Sequence, residues 1–330
     1  MDTTPITEQP VSAAPSKKRT YITIAVGCLL AVLVILAATL IRVDGFSMFD
    51  RIRASIELRN IHAVERNYTS VSVQRFGIMS LSPVSFESLP GTLSDYASAK
   101  GVAVGIVTLT DTGAQEIVLL NSEQGALTGS ESAKASLAVS SDGSLIAYAA
   151  QTDGSQSFNP LLSSWTVRIL NRDTGSDIEL GTGFGPQFFA RDGVTYLLFT
   201  TPEGIQVVDT STAEYRAFTT PFELNDRIEF AVRVAPDGSY LAMRDSVTQQ
   251  FSLYEIYRVA ANMPLGINPT GADLVGLLDV AFANGSVYGV DSHDGGIEGG
   301  VAVLRINPKS AEEGKPMYLF PATTDYRLIQ

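Results

Sequence analysis

Ser141-Asp142-Gly143-Ser144-Leu145-Ile146-Ala147 is one of five variants of a single short pattern in this chain. Counted from Gly101, the glycines of successive copies lie 42, 50, 45 and 47 residues apart. A period of about 40–50 residues built from short strands is typical of a β-propeller, with one blade per repeat. The pattern therefore predicts an all-β propeller. The other copies are Ala99-Lys100-Gly101-Val102-Ala103-Val104, Arg191-Asp192-Gly193-Val194-Thr195-Tyr196-Leu197, Pro236-Asp237-Gly238-Ser239-Tyr240-Leu241-Ala242 and Ala283-Asn284-Gly285-Ser286-Val287-Tyr288.

Each repeat contains several short apolar segments separated by polar turns. The Asp-Gly and Asn-Gly steps tolerate positive φ and suit tight hairpins between the first and second strands. Four strands per repeat is what a blade requires. In the repeat around Gly143 the four predicted strands are 137–139, 145–148, 166–170 and 177–180.

The two ends of the predicted propeller remain outside the five repeats. Residues 68–90 have alternating β character, and residues 326–330 form a short tail. Propellers commonly close by joining strands from both termini in one blade, which removes exposed strand edges. We therefore predict six blades, one of them composite, with five blades as the alternative.

The repeats also resemble those of a known group of proteins. The blocks Val139–Tyr148 and Val234–Ala242 are similar to the repeat of TolB-like and WD-type propellers, which typically read Ser-Pro-Asp-Gly-x-x-Ile-Ala. The resemblance extends over roughly residues 92–320 and implies the fold. TolB-like domains serve envelope assemblies, so it also implies protein binding. The Trp-Asp pair of true WD repeats is missing, since the only tryptophan is Trp165.

A long uncharged segment precedes the repeats. Tyr21 to Ile41 is a run of 21 residues without a charge. A helix rises about 1.5 Å per residue, so this run can cross a hydrocarbon core of about 30 Å. We predict a transmembrane anchor over residues 17–42, with residues 20–41 in the membrane. The alternatives are a cleaved signal peptide, whose apolar core is usually about 7–15 residues, and a lipoprotein signal ending at Cys28.

The charges around this segment predict its orientation. Lys17, Lys18 and Arg19 precede it, and basic residues stay on the cytoplasmic side. Residues 1–16, rich in Pro, Ser and Thr, are predicted to be a disordered cytoplasmic tail. The protein is thus predicted to be a single-pass protein of the cell membrane with its C-terminal part outside. Cys28 is the only cysteine, which excludes an intramolecular disulfide.

A helical stalk is predicted between the anchor and the propeller. Ser47-Met48-Phe49-Asp50 matches a capping box, and apolar residues recur at helical spacing from Phe49 to Arg66. The predicted domains are therefore an anchor at 17–42, a stalk at 43–67 and a propeller at 68–330. The apolar stripe of the stalk would pack on the propeller, lie on the membrane or pair with a second copy.

Charge is unevenly distributed along the chain. Residues 76–330 carry 14 basic and 29 acidic side chains, whereas residues 43–75 carry five basic and four acidic ones. An acidic propeller repels nucleic acid phosphates, so we expect no nucleic acid partner.

Motifs for common catalytic chemistry are missing from the sequence. It contains no Gly-x-Ser-x-Gly nucleophile elbow and no Gly-x-x-x-x-Gly-Lys phosphate loop. We therefore expect a protein that is not an enzyme and has no cofactor.

One polar loop stands out, with Asp291, His293, Asp294 and Glu298 inside eight residues. Carboxylate oxygens suit hard cations, so a divalent cation or ligand site is one interpretation. The other is an ordinary surface hairpin.

Loop lengths predict which face of the propeller binds. In a four-stranded blade the second-to-third loops lie opposite the Asp-Gly turns, and function tends to lie on longer loops. The long ones here are 151–164 and 291–300, and we call the side that carries them the long-loop face. The first loop and its end contribute Asp153, Phe158 and Trp165 as candidate ligand-binding residues.

Three functional hypotheses follow. The first is a membrane-anchored extracytoplasmic scaffold that binds a protein partner on the long-loop face. The second is a glycan- or metal-binding propeller, a lectin or an enzyme, that uses the 291–298 loop. The third is a signal-transducing ectodomain.

Overall fold

The computed structural model of the protein describes most of the chain after residue 16. The predicted tail at 1–16 and residues 292–300 of the predicted polar loop lie outside the described residues. The described residues are 17–40, 42–43, 46–67, 70–78, 80–86, 89–120, 126–129, 132–155, 158–211, 217–221, 232–245, 248–260, 263–274, 276–291, 301–309, 313–320 and 325–329.

Within these ranges the chain forms two helices, with the short strands β1 and β2 between them, and then a long series of strands. In the first half of the chain they are α1 (Lys17–Leu40), β1 (Arg42–Val43), β2 (Phe46–Ser47), α2 (Met48–Glu57), β3 (His62–Asn67), β4 (Ser70–Phe76), β5 (Leu81–Pro83), β6 (Gly91–Ala99), β7 (Val102–Leu109), β8 (Gln115–Leu119), β9 (Lys134–Val139), β10 (Leu145–Gln151), a 3-10 turn (Leu162–Ser164) and β11 (Trp165–Asn171). They continue with β12 (Asp177–Thr182), β13 (Phe184–Arg191), β14 (Val194–Thr201), β15 (Gly204–Asp209), β16 (Ala217–Pro221), β17 (Val232–Val234), β18 (Tyr240–Arg244), β19 (Phe251–Ala260), β20 (Met263–Leu274), β21 (Leu277–Ala283), β22 (Ser286–Asp291), β23 (Val301–Ile306), β24 (Glu313–Phe320) and β25 (Asp325–Ile329).

Helix α1 is 24 residues long and contains most of the predicted anchor. Its described apolar side chains are exposed, for example Leu29 at 60% and Val34 at 66%. Among the residues whose side chains the structure describes, no helix is long and apolar enough to span a membrane.

The predicted capping box is present at the start of α2. The backbone N–H of Asp50 donates to the Ser47 hydroxyl over 3.2 Å, and the Ser47 N–H donates to the Asp50 carboxylate over 3.3 Å. The buried face of the helix carries Arg51 and Ala54. The Arg51 guanidinium lies over the Tyr318 ring, 4.5 Å from its centroid. Helix α2 therefore packs on the propeller.

The predicted stalk is helical only in its first part. The helix ends at Glu57, and the residues that continued the helical spacing form strand β3 instead. β3 is bonded on one side to β4 and on the other to β25. These two ladders satisfy its backbone groups, so tertiary pairing overrides the local helical pattern. The propeller consequently begins at His62 rather than at residue 68.

The described strands form six sheets that are the blades of a propeller. Five follow chain order, and the sixth joins the C-terminal strand β25 to β3, β4 and β5. The predicted composite blade is thus confirmed, and the five-blade alternative is wrong. The blades are β25-β3-β4-β5, β6-β7-β8, β9-β10-β11-β12, β13-β14-β15-β16, β17-β18-β19-β20 and β21-β22-β23-β24, the second with three strands among the described residues.

The repeated glycines form the turns between the first and second strands. In the turn from β21 to β22, Asn284 and Gly285 have φ of 51° and 69°. Positive φ at both central residues is the type I′ geometry whose twist matches an antiparallel hairpin. We call the side of the propeller that carries these turns the turn face.

The hydrophobic core lies between neighbouring blades. Strand alternation sends side chains to both faces of each sheet, so each blade packs against the next. At the junction of the last blade and the composite blade, Leu58 and Ile61 pack with Phe76, Tyr288 and Tyr318. The segment after α2 therefore belongs to the closure of the ring.

Polar side chains also link the first strands of neighbouring blades. The Leu137 N–H donates to Asp95 over 3.1 Å, and the Val234 N–H donates to Gln187 over 3.1 Å. At the closure, the Leu328 N–H donates to Asp279 over 3.0 Å. Asp279 also pairs with Arg233, at 3.0 Å. These bonds fix the first strands as the wall of a central cavity.

Candidate functional site

The central cavity of the propeller has an inner chamber of about 270 Å³. All six first strands contribute to its lining, which places it on the axis of the ring. We define it by one residue from each of those strands: Asp95, Leu137, Gln187, Arg233, Ala281 and Leu328.

A larger chamber of about 770 Å³ opens on the turn face. Its rim includes residues of the first-to-second turns, such as Lys100 and Asn284. Four residues line both chambers, so the two are neighbours that share a wall. We call the larger one the turn-side chamber; the shared residues are Tyr96, Val139, Phe188 and Phe282.

The turn-side chamber is lined by cations. Arg59 follows α2, Arg75 lies on β4, and Lys100 lies in the turn between β6 and β7; all three side chains are exposed. The lining residues in the described part of the chain include no Asp or Glu. This chamber is therefore a positive site on a strongly acidic propeller.

His62 and Tyr96 form part of the chamber wall near Arg75. Their rings meet edge to face, with centroids 5.5 Å apart. Burial lowers the pKa of His62, and the positive charge of Arg75 lowers it further. Burial raises the pKa of Tyr96. His62 Nδ1 is buried without a hydrogen-bond partner in the described structure. Burial therefore disfavours the charged form of both rings beside the arginine.

Glu57 holds the segment that carries Arg59 at the rim. Its carboxylate accepts from Tyr288 over 3.3 Å and from Arg305 over 3.4 Å. Within α2 it also pairs with Arg53, at 2.8 Å. Arg59 therefore follows a helix end that is tied to the last blade.

An aromatic cluster lies at the opposite end of the cavity, where two predicted site residues meet. Trp165 is fully buried, and its indole N–H donates to the Asn159 carbonyl over 2.7 Å. Phe158 is 60% exposed, and its ring centroid lies 5.3 Å from that of Trp165. Phe184 completes the cluster, 5.3 Å from Trp165. Phe158 and Phe184 also line the inner chamber.

The remaining predicted residues are not gathered into this cluster. Asp153 is exposed and accepts from the Ser155 N–H over 2.8 Å, as a turn-forming residue does. Asp291 is the last residue of β22. The predicted ligand residues His293, Asp294 and Glu298 lie outside the described residues. Within the described ranges, no three His, Cys, Asp or Glu side chains group as metal ligands would. The cation site at 291–298 stays a prediction.

Sequence reasoning missed the turn-side chamber. It placed His62 in a helix and assigned binding to the long-loop face, because the loops there are longer. The available signal was the charge of residues 43–75, with five basic and four acidic side chains, directly before a strongly acidic propeller. Arg59 and Arg75 belong to that segment, and both line the turn-side chamber.

Comparison with known proteins gives a fold and no family. No protein-family model matches the chain. No curated protein matches it.

Solved propeller structures do resemble it. TolB from Acinetobacter baumannii matches with a TM-score of 0.51 at 14% sequence identity, over 81% of this chain and 66% of that chain. This chain therefore spans just under two thirds of TolB. A chain in the crystal structure of a nidogen/laminin complex matches with a TM-score of 0.50 at 12% identity, over 82% of this chain and 97% of that chain. At such identities the likeness concerns the fold alone: the described residues form a TolB-like six-bladed β-propeller.

Proposed function

We propose that the chain is a membrane-anchored, extracytoplasmic β-propeller that binds a protein partner through its long-loop face. One observation carries the proposal. Phe158 is 60% exposed at the end of the inner chamber, yet its ring packs on Trp165 and Phe184.

An exposed aromatic side chain that is already held in place makes a good anchor for a partner. Binding then costs little side-chain entropy, because the ring does not have to be immobilised. Aromatic anchors near the centre of an interface often carry much of the binding energy. Trp165 is fully buried and packs against the Phe158 ring on its protein side.

The proposed membrane anchor rests on the amino-acid sequence of residues 17–41. Residues 21–41 carry no charge, and Lys17 to Arg19 precede them. The face of α2 away from the propeller exposes Phe49 at 57% and Ile56 at 59%. Such side chains suit the boundary between lipid and water.

A crosslinking pull-down from native membranes tests the partner. We compare the tagged wild-type chain with Phe158→Ala and with Tyr257→Ala, a control that removes an aromatic ring that is 53% exposed on β19. We expect one stoichiometric envelope protein with the wild type and the control, reduced at least tenfold with Phe158→Ala. Equal recovery with all three chains would contradict the proposed face.

Alkaline carbonate extraction tests the anchor separately. We expect the full chain to stay with the membrane pellet and a chain lacking residues 21–41 to be released. Release of both would contradict membrane anchoring and leave the Phe158 result unaffected.

A further inference from the structure

The turn-side chamber has a charge opposite to that of the propeller around it. Residues 76–330 hold about twice as many acidic as basic side chains, 29 against 14. Arg59, Arg75 and Lys100 nevertheless meet at one opening, and its described lining contains no carboxylate. Charges of one sign in a concave site focus the field and concentrate ligands of the opposite sign.

These three cations have no structural partner in the described part of the chain. Several other basic side chains of the propeller are paired, such as Arg168 with Asp177 at 3.1 Å and Arg305 with Glu57 at 3.4 Å. Among the described residues no carboxylate lies within ion-pair distance of Arg59, Arg75 or Lys100. Three cations that face one opening without carboxylates repel one another, and a bound anion would relieve this repulsion.

The deeper part of the chamber is apolar. Its walls include Phe188, Phe189 and Phe282, and Phe189 and Phe282 are buried. The volume of about 770 Å³ is within the range of small-molecule sites. Three cations together with aromatic walls suit a ligand with anionic groups on an apolar body.

We propose that the turn-side chamber binds a small organic anion, with carboxylate or phosphate groups on Arg59, Arg75 and Lys100. Guanidinium groups match the geometry of both anions and can bind them through two hydrogen bonds. The apolar part of the ligand lies towards Phe188 and Phe282. This site is separate from the proposed protein-binding face.

Calorimetric titration of the purified full chain in non-ionic detergent tests the proposal. The probes are benzene-1,3,5-tricarboxylate, a trianion on an aromatic ring, and 1,3,5-benzenetrimethanol, an uncharged molecule of similar shape. Citrate and inorganic phosphate test whether an apolar body is needed. We expect the tricarboxylate to bind at least tenfold more tightly than the triol and citrate, with affinity falling as NaCl is raised.

Single substitutions by the uncharged residue Gln test whether the tricarboxylate binds in the turn-side chamber. Arg75→Gln and Lys100→Gln should each weaken tricarboxylate binding at least fivefold. Lys309→Gln is the control, because Lys309 is also an exposed lysine in a turn but does not line the chamber. All three positions are exposed, so the variants should fold, which thermal unfolding verifies.

Three results would overturn the proposal: no binding by the wild type, equal binding of the triol, or equal losses in Lys309→Gln and the chamber variants. None of them bears on the pull-down with Phe158→Ala, because that residue does not line the turn-side chamber.

Discussion

The two chambers of the central cavity share a wall and differ in chemistry. In the turn-side chamber Arg59, Arg75 and Lys100 face an opening whose described lining has no carboxylate. In the inner chamber Asp95 and Arg233 are bonded within the wall, and the aromatic side chain of Phe158 lies at its end. The first strands of the blades thus build a common cavity wall, and the side chains of turns, loops and the segment before the propeller give its two ends different chemistry.

The largest loss of stability should come from a substitution at the closure of the ring, beside the inner chamber. Asp279 is buried and binds both Leu328 N–H and Arg233 at the closure. Asp279→Ala leaves these groups unpaired, so we expect a loss of about 3–5 kcal/mol in the free energy of unfolding. Thermal unfolding by circular dichroism measures it, and both binding activities should fall together. Asp173→Ala, at a carboxylate that is 68% exposed, should change stability by less than about 0.5 kcal/mol. Equal unfolding temperatures for the two variants would exclude the closure role.

The next largest effect should be confined to the turn-side chamber. Arg51 is fully buried between α2 and the propeller and lies over the Tyr318 ring. Arg51→Ala removes the cation–π contact and the packing of the stem, which we expect to cost about 2–3 kcal/mol. Hydrogen exchange should accelerate in residues 48–60, and tricarboxylate binding should weaken because Arg59 follows this helix. Unchanged exchange there would show that α2 does not depend on Arg51, and Phe158-dependent capture of the partner should persist.

A smaller loss of stability, with loss of partner capture, should follow a substitution in the aromatic cluster of Phe158, Trp165 and Phe184. Trp165→Phe keeps an aromatic ring but loses the indole hydrogen bond to Asn159, so we expect a cost of about 1–2 kcal/mol. Partner capture should fall, because the support under Phe158 is looser, while tricarboxylate affinity stays within twofold of the wild type. A parallel loss of both would mean that the two ends are not independent.

The smallest effect should be a pH dependence of stability from the turn-side chamber. His62 contacts Tyr96 and lies near Arg75, and its pKa is lowered from 6.5 by burial and by that arginine. The folded state therefore takes up this proton less readily than the unfolded chain. The contribution of neutral His62 to the free energy of unfolding is fully present above about pH 6.5. It is lost as the pH falls through the folded-state pKa.

We expect His62→Gln to reduce the fall in Tm between pH 7.5 and pH 5.5. His293→Gln is the matched control for the only other histidine in the chain. A fall as steep in His62→Gln as in the wild type would show that other groups cause the pH dependence.

Much of the fold could be predicted because its signals are local. The Asp-Gly turns, the short apolar strands and the capping box at Ser47 each depend on neighbouring residues. The composite blade followed from the unpaired ends of the repeats and the need to remove exposed strand edges. Strand β3 was not predictable in this way. Its sequence continues a helical spacing, and its partner β25 lies more than 250 residues away in the chain.

The sequence by itself determined the repeat, the acidic charge of the propeller and the long uncharged segment before it. Only the tertiary structure decided which end of the cavity is cationic. Arg59, Arg75 and Lys100 follow α2, lie on β4 and lie in the β6–β7 turn, and they line one chamber because β4 packs beside β6 of the next blade. A charge cluster of this kind depends on distances between side chains in space, and the linear order of residues does not contain those distances.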